Sequence, residues 1–372
     1  MNKELQEIIE QYERLESAGI KTVLATVVDV KGSSYRLPGA RMLIGENGEM
    51  FGTVAGGCLE ADVLERARRV LQTGAAEVFT YDTTLREDSV FSLNMGCRGV
   101  VRILLERPSP NFIESFRRLY ETRQSALIAV LIESAKEFED LIIGRRLTLA
   151  SGKLISNDFS SKITERILPD CLNAFNEKQS KNLTTERGEF FLEYLSPPVS
   201  LIIFGAGFDA VPLCETAKLL GWRVTLIDHR AAFADRDRFP KADEIIITRP
   251  ENIGENLTPD ENAVAVVMTH NYEHDLNILR FLLNSNAVYV GALGPKRRAE
   301  NILREWRKAG EEFSPGQLEK LYAPIGLDIG ADTPESIALS IVAEIKSVLA
   351  KRQGGFLRDR KGSIYNRNAA AA

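Results

Sequence analysis

The chain has 372 residues, a length that usual domain sizes divide into two domains rather than one. With 44 % hydrophobic and 27 % charged residues it is ordinary for a globular protein, which excludes intrinsic disorder, collagen-like repeats and a disulfide-stapled miniature. Forty-seven basic against 52 acidic residues give a formal net charge of −5 without a basic tract, which argues against nucleic acid as a partner.

The longest apolar run, residues 126–132, is far short of the roughly 20 residues that a membrane helix needs. The first fifteen residues are a mixed-charge helical pattern without a signal-peptide core, so a cytoplasmic protein with no membrane partner is expected. Cys58, Cys97, Cys171 and Cys214 show no CxxC spacing, so reduced thiols are expected rather than a disulfide framework or a zinc knuckle.

In chain order, Leu5, Ile8, Ile9, Tyr12 and Leu15 predict an amphipathic helix over 2–18. Residues 22–30 are rich in β-branched side chains and predict a buried strand. A Gly-Ser-Ser-Tyr-Arg-Leu-Pro-Gly segment leads to a strand over 41–44. The Asn47-Gly48 pair then predicts a hairpin into a short strand over 50–54. Gly56, Gly57 and Cys58 open a helix whose Leu59, Val63, Ala67, Val70 and Leu71 keep one face apolar. Residues 126–154 read as a degenerate copy of 22–60 that lacks the Gly-Gly-Cys and Ser-Ser-Tyr-Arg segments. Residues 155–188 read as polar helix or loop, and Pro197-Pro198 marks the expected junction.

From Val199 a continuous apolar strand runs into Gly205-Ala206-Gly207-Phe208-Asp209-Ala210, followed by a helix, Gly221 as its stop, and a strand ending in Asp228. Strands over 244–248, 263–268 and 287–290 alternate with helices over 273–284 and 296–308. Thr333-Pro334-Glu335 then starts the last helix. The expected fold is therefore α/β: a smaller, mixed-sheet N-terminal domain over 1–196, a Rossmann-like doubly wound parallel sheet over 197–350, and a tail over 351–372.

Each candidate residue carries two readings. Gly205 and Gly207 let the backbone turn and approach a phosphate at the helix start, and Asp228 can bond a ribose hydroxyl, although the fold can persist without the ligand. His270, just past a strand, faces a ligand or caps a loop; with His274 it forms a metal pair, or His274 is a solvated helix residue. Cys58, at a helix mouth, and Cys97, beside Arg98 in a glycine-flanked turn, are reactive or metal-binding thiols or small hydrophobes in tight turns. Arg36 and Arg41 flank a rigid Pro-Gly turn and suit an anion such as a pterin pyrophosphate, or are surface arginines.

Together these segments resemble the xanthine dehydrogenase accessory factors, the XdhC/CoxI family. The N-terminal match is GSSYRLPGARMLIGENGEMFGTVAGGCLE at 32–60 with MGCRG at 95–99. The C-terminal match is LIIFGAGFDA at 201–210, MTHNYEHDLNIL at 268–279, YVGALGPKRR at 289–298 and PIGLDIGADTPESIALSIVAEI at 324–345. The resemblance implies an accessory protein that binds molybdenum cofactor and promotes its sulfuration and insertion into a xanthine dehydrogenase-type molybdenum hydroxylase. A cysteine desulfurase is the implied second partner. Cys58 and Cys97 become the candidates near molybdenum, and Gly56, Gly57, Arg36, Arg41, Arg98, Gly205, Gly207, Asp228 and His270 the remaining cofactor-binding candidates. Phe208 stands where many relatives carry histidine and Pro295 where many carry serine, departures that suggest altered cofactor handling. A homodimer is expected for such a two-domain protein. Two competing readings are an NAD(P)-dependent oxidoreductase with His270 as proton donor and a non-catalytic nucleotide-sensing module.

Overall fold

The computed structural model describes residues 3–82, 99–135, 141–361 and Ile364. The chain divides into two compact units, Lys3–Pro197 and the residues from Pro198 onward.

The first unit runs α1 (Lys3–Ser17), β1 (Thr22–Gly32), β2 (Arg41–Gly45), β3 (Met50–Gly52), α2 (Glu60–Thr73), β4 (Glu77–Asp82) and β5 (Gly99–Glu106). It continues α3 (Pro110–Glu121), β6 (Ala126–Ser134), β7 (Arg146–Ala150), β8 (Lys153–Asn157), α4 (Ser161–Asn176), β9 (Lys181–Thr185) and β10 (Gly188–Leu195). The second seven elements repeat the order of the first seven. Their sheets repeat it too, β3-β2-β1-β5-β4 and β8-β7-β6-β10-β9. Both sheets are antiparallel throughout rather than mixed, because their strands are joined by hairpins and returning excursions.

The equivalence extends to single residues. Arg41 lies opposite Thr26 as Arg146 lies opposite Val130, and Glu106 lies opposite Leu24 as Glu193 lies opposite Ile128. Both central strands step out of register at the same place, past Val28 in β1 and past Ile132 in β6. The apolar residues of each sheet face two ways, as the period of two requires. Val63, Ala67 and Val70 of α2 cover Val23, Ala25, Val27 and Ile103, while Ile163, Ile167, Cys171 and Ala174 of α4 cover Leu127, Ala129, Leu131 and Phe190. On the other faces, Val28 and Leu104 of one repeat pack with Val130, Ile132 and Phe191 of the other.

Two ion pairs cross between the repeats at equivalent positions. Arg41 Nη1 donates to Glu193 Oε1 at 2.8 Å and to the Gly39 carbonyl at 2.9 Å. In mirror fashion Arg146 donates to Glu106 and, at 2.9 Å, to the Gly144 carbonyl. Each guanidinium lies over a phenylalanine of α3, Arg41 5.2 Å from Phe116 and Arg146 3.7 Å from Phe112. Between them Arg102 donates to Glu189, its own equivalent in the other repeat, and to Glu133 at 2.9 Å. Arg41 is 4 % exposed, so it cannot serve as the ligand-facing arginine that its Pro-Gly turn suggested. Its turn carries it inward, where Glu193 compensates its burial.

The second unit runs β11 (Ser200–Phe204), α5 (Ala210–Leu219), β12 (Arg223–Asp228), β13 (Glu244–Ile247), α6 (Ile253–Asn256), β14 (Ala263–Val267) and α7 (Tyr272–Leu283). It closes with β15 (Tyr289–Ala292), α8 (Lys296–Lys308), α9 (Pro315–Glu319), β16 (Leu321–Tyr322) and α10 (Pro334–Leu349). Its sheet, β13-β12-β11-β14-β15-β16, is wholly parallel and reverses direction of growth at β11, the doubly wound pattern. Leu213, Cys214 and Ala217 of α5 and Ile341 and Ile345 of α10 cover one face, and Leu279, Leu282, Ile302 and Trp306 of α7 and α8 the other. Burial pushes the thiols of Cys171 and Cys214 up, to about 12 and about 11, which makes both inert packing groups. The strand expected over 287–290 begins two residues later, because Ser285 and Ala287 close a turn on the end of α7.

The crossed pairs generate a stability prediction. Arg41→Met leaves Glu193 buried without its cation, and the expected loss is about 3–5 kcal/mol. Arg41→Met combined with Glu193→Leu should recover most of it. Urea unfolding of the single and double variants checks both, and equal losses in the two would show that the pair is not the cause.

Candidate functional site

In the first repeat the connection from β3 to α2, residues 53–59, is shaped by one carboxylate. Glu60 Oε1 accepts from Thr53 Oγ1 at 2.6 Å and from the Ala55 amide at 3.0 Å. Its Oε2 accepts from the amides of Gly57 at 2.8 Å and Leu59 at 3.1 Å. Burial pushes this carboxyl up, but the hydrogen bonds from Thr53 and the loop amides outweigh it and hold it below the usual glutamate range. Gly56 and Gly57 take φ values of 71° and 103°, a left-handed path that only glycine follows without strain. The helix therefore starts at Glu60, not at the glycines, and Cys58 stands exposed on the loop rather than buried in it.

The excursion between β1 and β2 reaches the same place. A Cβ on Gly56 would come within 2.7 Å of the Tyr35 ring, so the tyrosine lies directly against the glycine turn. Gly99, at the start of β5, pairs with Gly32 and has no room for a side chain against Ser33. Cys97 and Arg98 precede it and lie outside the described residues. Arg36 is ion-paired to Glu4 of α1 and is half-buried. In the second repeat the equivalent connection shrinks to 158–160, without glycine or cysteine. The display of a thiol thus belongs to the first repeat alone.

The second unit carries its polar cluster at the carboxyl edge of the parallel sheet. Gly205, at φ 109°, passes so close to the Met268 carbonyl that a Cβ would lie 2.5 Å from its oxygen. Asp228 ends β12, 6 % exposed, and its carboxylate is fully engaged by the chain. Oδ2 accepts from the Ala206 amide at 2.8 Å and Arg230 Nη2 at 2.8 Å, and Oδ1 from the Arg230 amide at 2.9 Å and Nε at 3.0 Å. Burial raises this carboxyl, but Arg230 and the two amides prevail and lower it to about 2. The ribose-facing role expected for Asp228 would require Arg230 to leave it.

His270 sits before α7 in a left-handed conformation, φ 59°, with its side chain 64 % exposed and Nε2 2.9 Å from Asp209 Oδ2. His274 lies inside α7 and meets His229 edge to face, ring centres 4.8 Å apart. The two histidines expected as a metal pair are therefore directed to different partners, because the Asn271 cap separates His270 from the helix. Among the described residues no cluster of three or more histidine, cysteine or acidic side chains could hold a metal ion. A cleft of about 210 Å³ opens here, lined among others by Asp228, Arg230, Thr248, Asn271, His274 and Ile278.

Asp209, Arg230 and the Asp275–Arg298 pair were not singled out by sequence. Asp275 is 2 % exposed and accepts from Arg298 Nε at 2.9 Å, Arg298 Nη2 at 2.6 Å and Thr269 Oγ1. The sequence signal of the Asp275–Arg298 pair, an acid in the first turn of a helix and an arginine in the next one, is too common to mark a site, and Asp209 and Arg230 lie in loops that carry no signal of their own. The titration of Asp228 is testable. A carboxyl lowered from near 4 to about 2 adds stability above its unfolded value and loses it as pH falls through that interval, about 2 kcal/mol in full. The gap in unfolding free energy between wild type and Asp228→Asn should narrow by about 1 kcal/mol from pH 6 to pH 3. A gap independent of pH would show that the carboxyl is not held low.

Residues 201–345 match the family described as the XdhC Rossmann domain, and residues 15–82 match the XdhC and CoxI family. A Bacillus subtilis (strain 168) protein, named as a probable subunit of xanthine dehydrogenase, is 33 % identical over 330 residues, spanning 87 % of this chain and 92 % of that one. The Escherichia coli (strain K12) protein named "Molybdenum cofactor insertion chaperone PaoD" is 23 % identical over 333 residues, 89 % and 84 % of the two chains. A crystal structure described as a xanthine dehydrogenase from Bacillus halodurans superposes with a TM-score of 0.75 at 29 % identity, covering 93 % of this chain and 96 % of that one. With family matches in both halves and a one-third-identical relative aligned along nearly its whole length, the chain belongs to the XdhC and CoxI family.

Proposed function

We propose that this protein holds molybdenum cofactor as cargo and delivers it to a molybdenum hydroxylase of the xanthine dehydrogenase kind. The observation that carries the reading is the loop held by Glu60, which displays the Cys58 thiol on a fixed backbone. A thiolate is both a nucleophile and a metal ligand, so an exposed cysteine on an ordered glycine turn is equipped to grip a metal centre and release it. Tyr35, 61 % exposed and packed on Gly56, adds an aromatic face beside the thiol for a flat heterocycle. The names of relatives support the same direction, one being an insertion chaperone for molybdenum cofactor and another a probable part of xanthine dehydrogenase.

The reading extends to Cys97 as a second thiol and to sulfuration of the cargo before insertion, with a cysteine desulfurase as the source of sulfur. Arg98 is the remaining arginine candidate for the anionic end of the cofactor, since Arg36 is paired with Glu4 and Arg41 with Glu193. No general acid–base pair is required for a protein that binds, holds and passes on its cargo.

Anaerobic retention of molybdenum cofactor on a desalting column tests the reading. Cys58→Ser should reduce retention at least about tenfold and Cys58→Ser with Cys97→Ser should abolish it, with unchanged thermal unfolding. Retention equal to wild type in the double variant would remove the thiols from the function. A companion measurement addresses the loop. Glu60→Gln loses the charge that gathers three amides and Thr53, and reaction of Cys58 with a disulfide reagent should change several-fold in rate while the folded state persists. An unaltered rate would show that Glu60 does not position the thiol.

A further inference from the structure

The glycine loop of the second unit has the features that a dinucleotide site needs: strand β11, Gly205 at φ 109°, Gly207, buried Ala210 and the ten-residue helix α5. In such a loop the free amides at the helix start receive the pyrophosphate, and the acid after the second strand receives the ribose. Here both places are taken by the chain itself. Asp209, the last residue before α5, folds its carboxylate back over the loop, and a Cβ on Gly207 would lie only 2.5 Å from its Oδ1. Oδ2 is fixed by His270 Nε2 at 2.9 Å, while Oδ1 is buried without a hydrogen-bond partner. At the other place Arg230 occupies both oxygens of Asp228.

We propose that Asp209 is a specificity residue that closes this glycine loop to the pyrophosphate of a dinucleotide. Its fixed negative charge stands where the phosphates would need to sit, and like charges at a few ångströms in a partly desolvated cleft repel strongly. His270 Nε2 holds Oδ2 and itself lies 3.8 Å from a Cβ built on Gly207, but the nearer atom, Asp209 Oδ1 at 2.5 Å, has no partner and carries its share of the carboxylate charge to the loop. Arg238, also at the loop, gives Nη1 to the carbonyls of Ala206 at 2.9 Å and Phe233 at 2.8 Å and lies over the Phe208 ring, while its Nη2 is buried without a hydrogen-bond partner. The inference stands on the second unit alone and does not depend on the cofactor-delivery reading.

Calorimetric titration of the full chain with NADH, and separately with inorganic pyrophosphate, tests it. Wild type should bind both no tighter than about millimolar, and Asp209→Asn and Asp209→Ser should each gain at least about tenfold for both probes. His270→Gln keeps the carboxylate and should gain less than about threefold. Thermal unfolding of each variant confirms that it is folded, and the two Asp209 variants differ in size, so one that misfolds leaves the other to decide. Wild-type affinity equal to that of the Asp209 variants would overturn the proposal, as would the absence of any gain in them. A gain in His270→Gln as large as in Asp209→Asn would also overturn it, because a variant that keeps the carboxylate would then open the loop equally.

Discussion

The architecture of the first unit depends on a reciprocal exchange of buried charge. Each repeat lends an arginine at the start of its second strand to a glutamate on the last strand of the other, Arg41 to Glu193 and Arg146 to Glu106. A buried cation without its partner is costly, so neither sheet is complete alone and the two must form together in one register. The pairs also fix that register, since a slip of one residue would turn every one of these side chains to the opposite face. The apolar contact among Val28, Leu104, Val130, Ile132 and Phe191 supplies the burial that makes the arrangement stable. The charges decide which arrangement it is.

A duplicated scaffold of this kind separates stability from chemistry. Both repeats keep the strands, the register step and the crossed arginine, because the shared core needs them in both. Only the first repeat keeps the long connection with Gly56, Gly57 and Cys58, the Glu60 carboxylate that organises it and the tyrosine that packs on it. In the second repeat the same place holds a three-residue link, 158–160, whose Phe159 packs into the core against Phe190 and whose Asp158 bonds the Arg146 backbone. The thiol loop can therefore vary without disturbing the contact between the sheets.

The second unit shows a related economy. Its parallel sheet and glycine loop are built as for a dinucleotide, yet Asp209, His270 and Arg230 turn the polar groups of that edge toward one another. Asp228, lowered to about 2, is the anchor of that arrangement, binding the loop through the Ala206 amide and Arg230 through both of its oxygens. A fold pattern specifies where a ligand edge lies, and a few side chains on that edge specify what is admitted.

Much of this was legible in the sequence. Hydrophobic periodicity predicts α1, β1, β2, α2 and most strands and helices of the second unit within a few residues, and the strand–glycine–helix spacing from Val199 determines a doubly wound sheet, because those signals depend on near neighbours in the chain. β4, α3 and β10 are not read from it, and β9 lies in residues 155–188, read as polar helix or loop. The matched segments around Cys58 and from 324 to 345 determine the family. Tertiary structure decided what depends on partners distant in sequence. Arg41 reads as an anion-binding or surface arginine beside a Pro-Gly turn until Glu193, far along the chain, draws it inside. Asp209 reads as an unremarked letter of the glycine motif, and Asp228 as a free ribose ligand, until the fold brings His270 and Arg230 against them. A side chain's charge is written in the sequence; the neighbour that satisfies it, and hence whether it remains available to a ligand, is set only when the chain is folded.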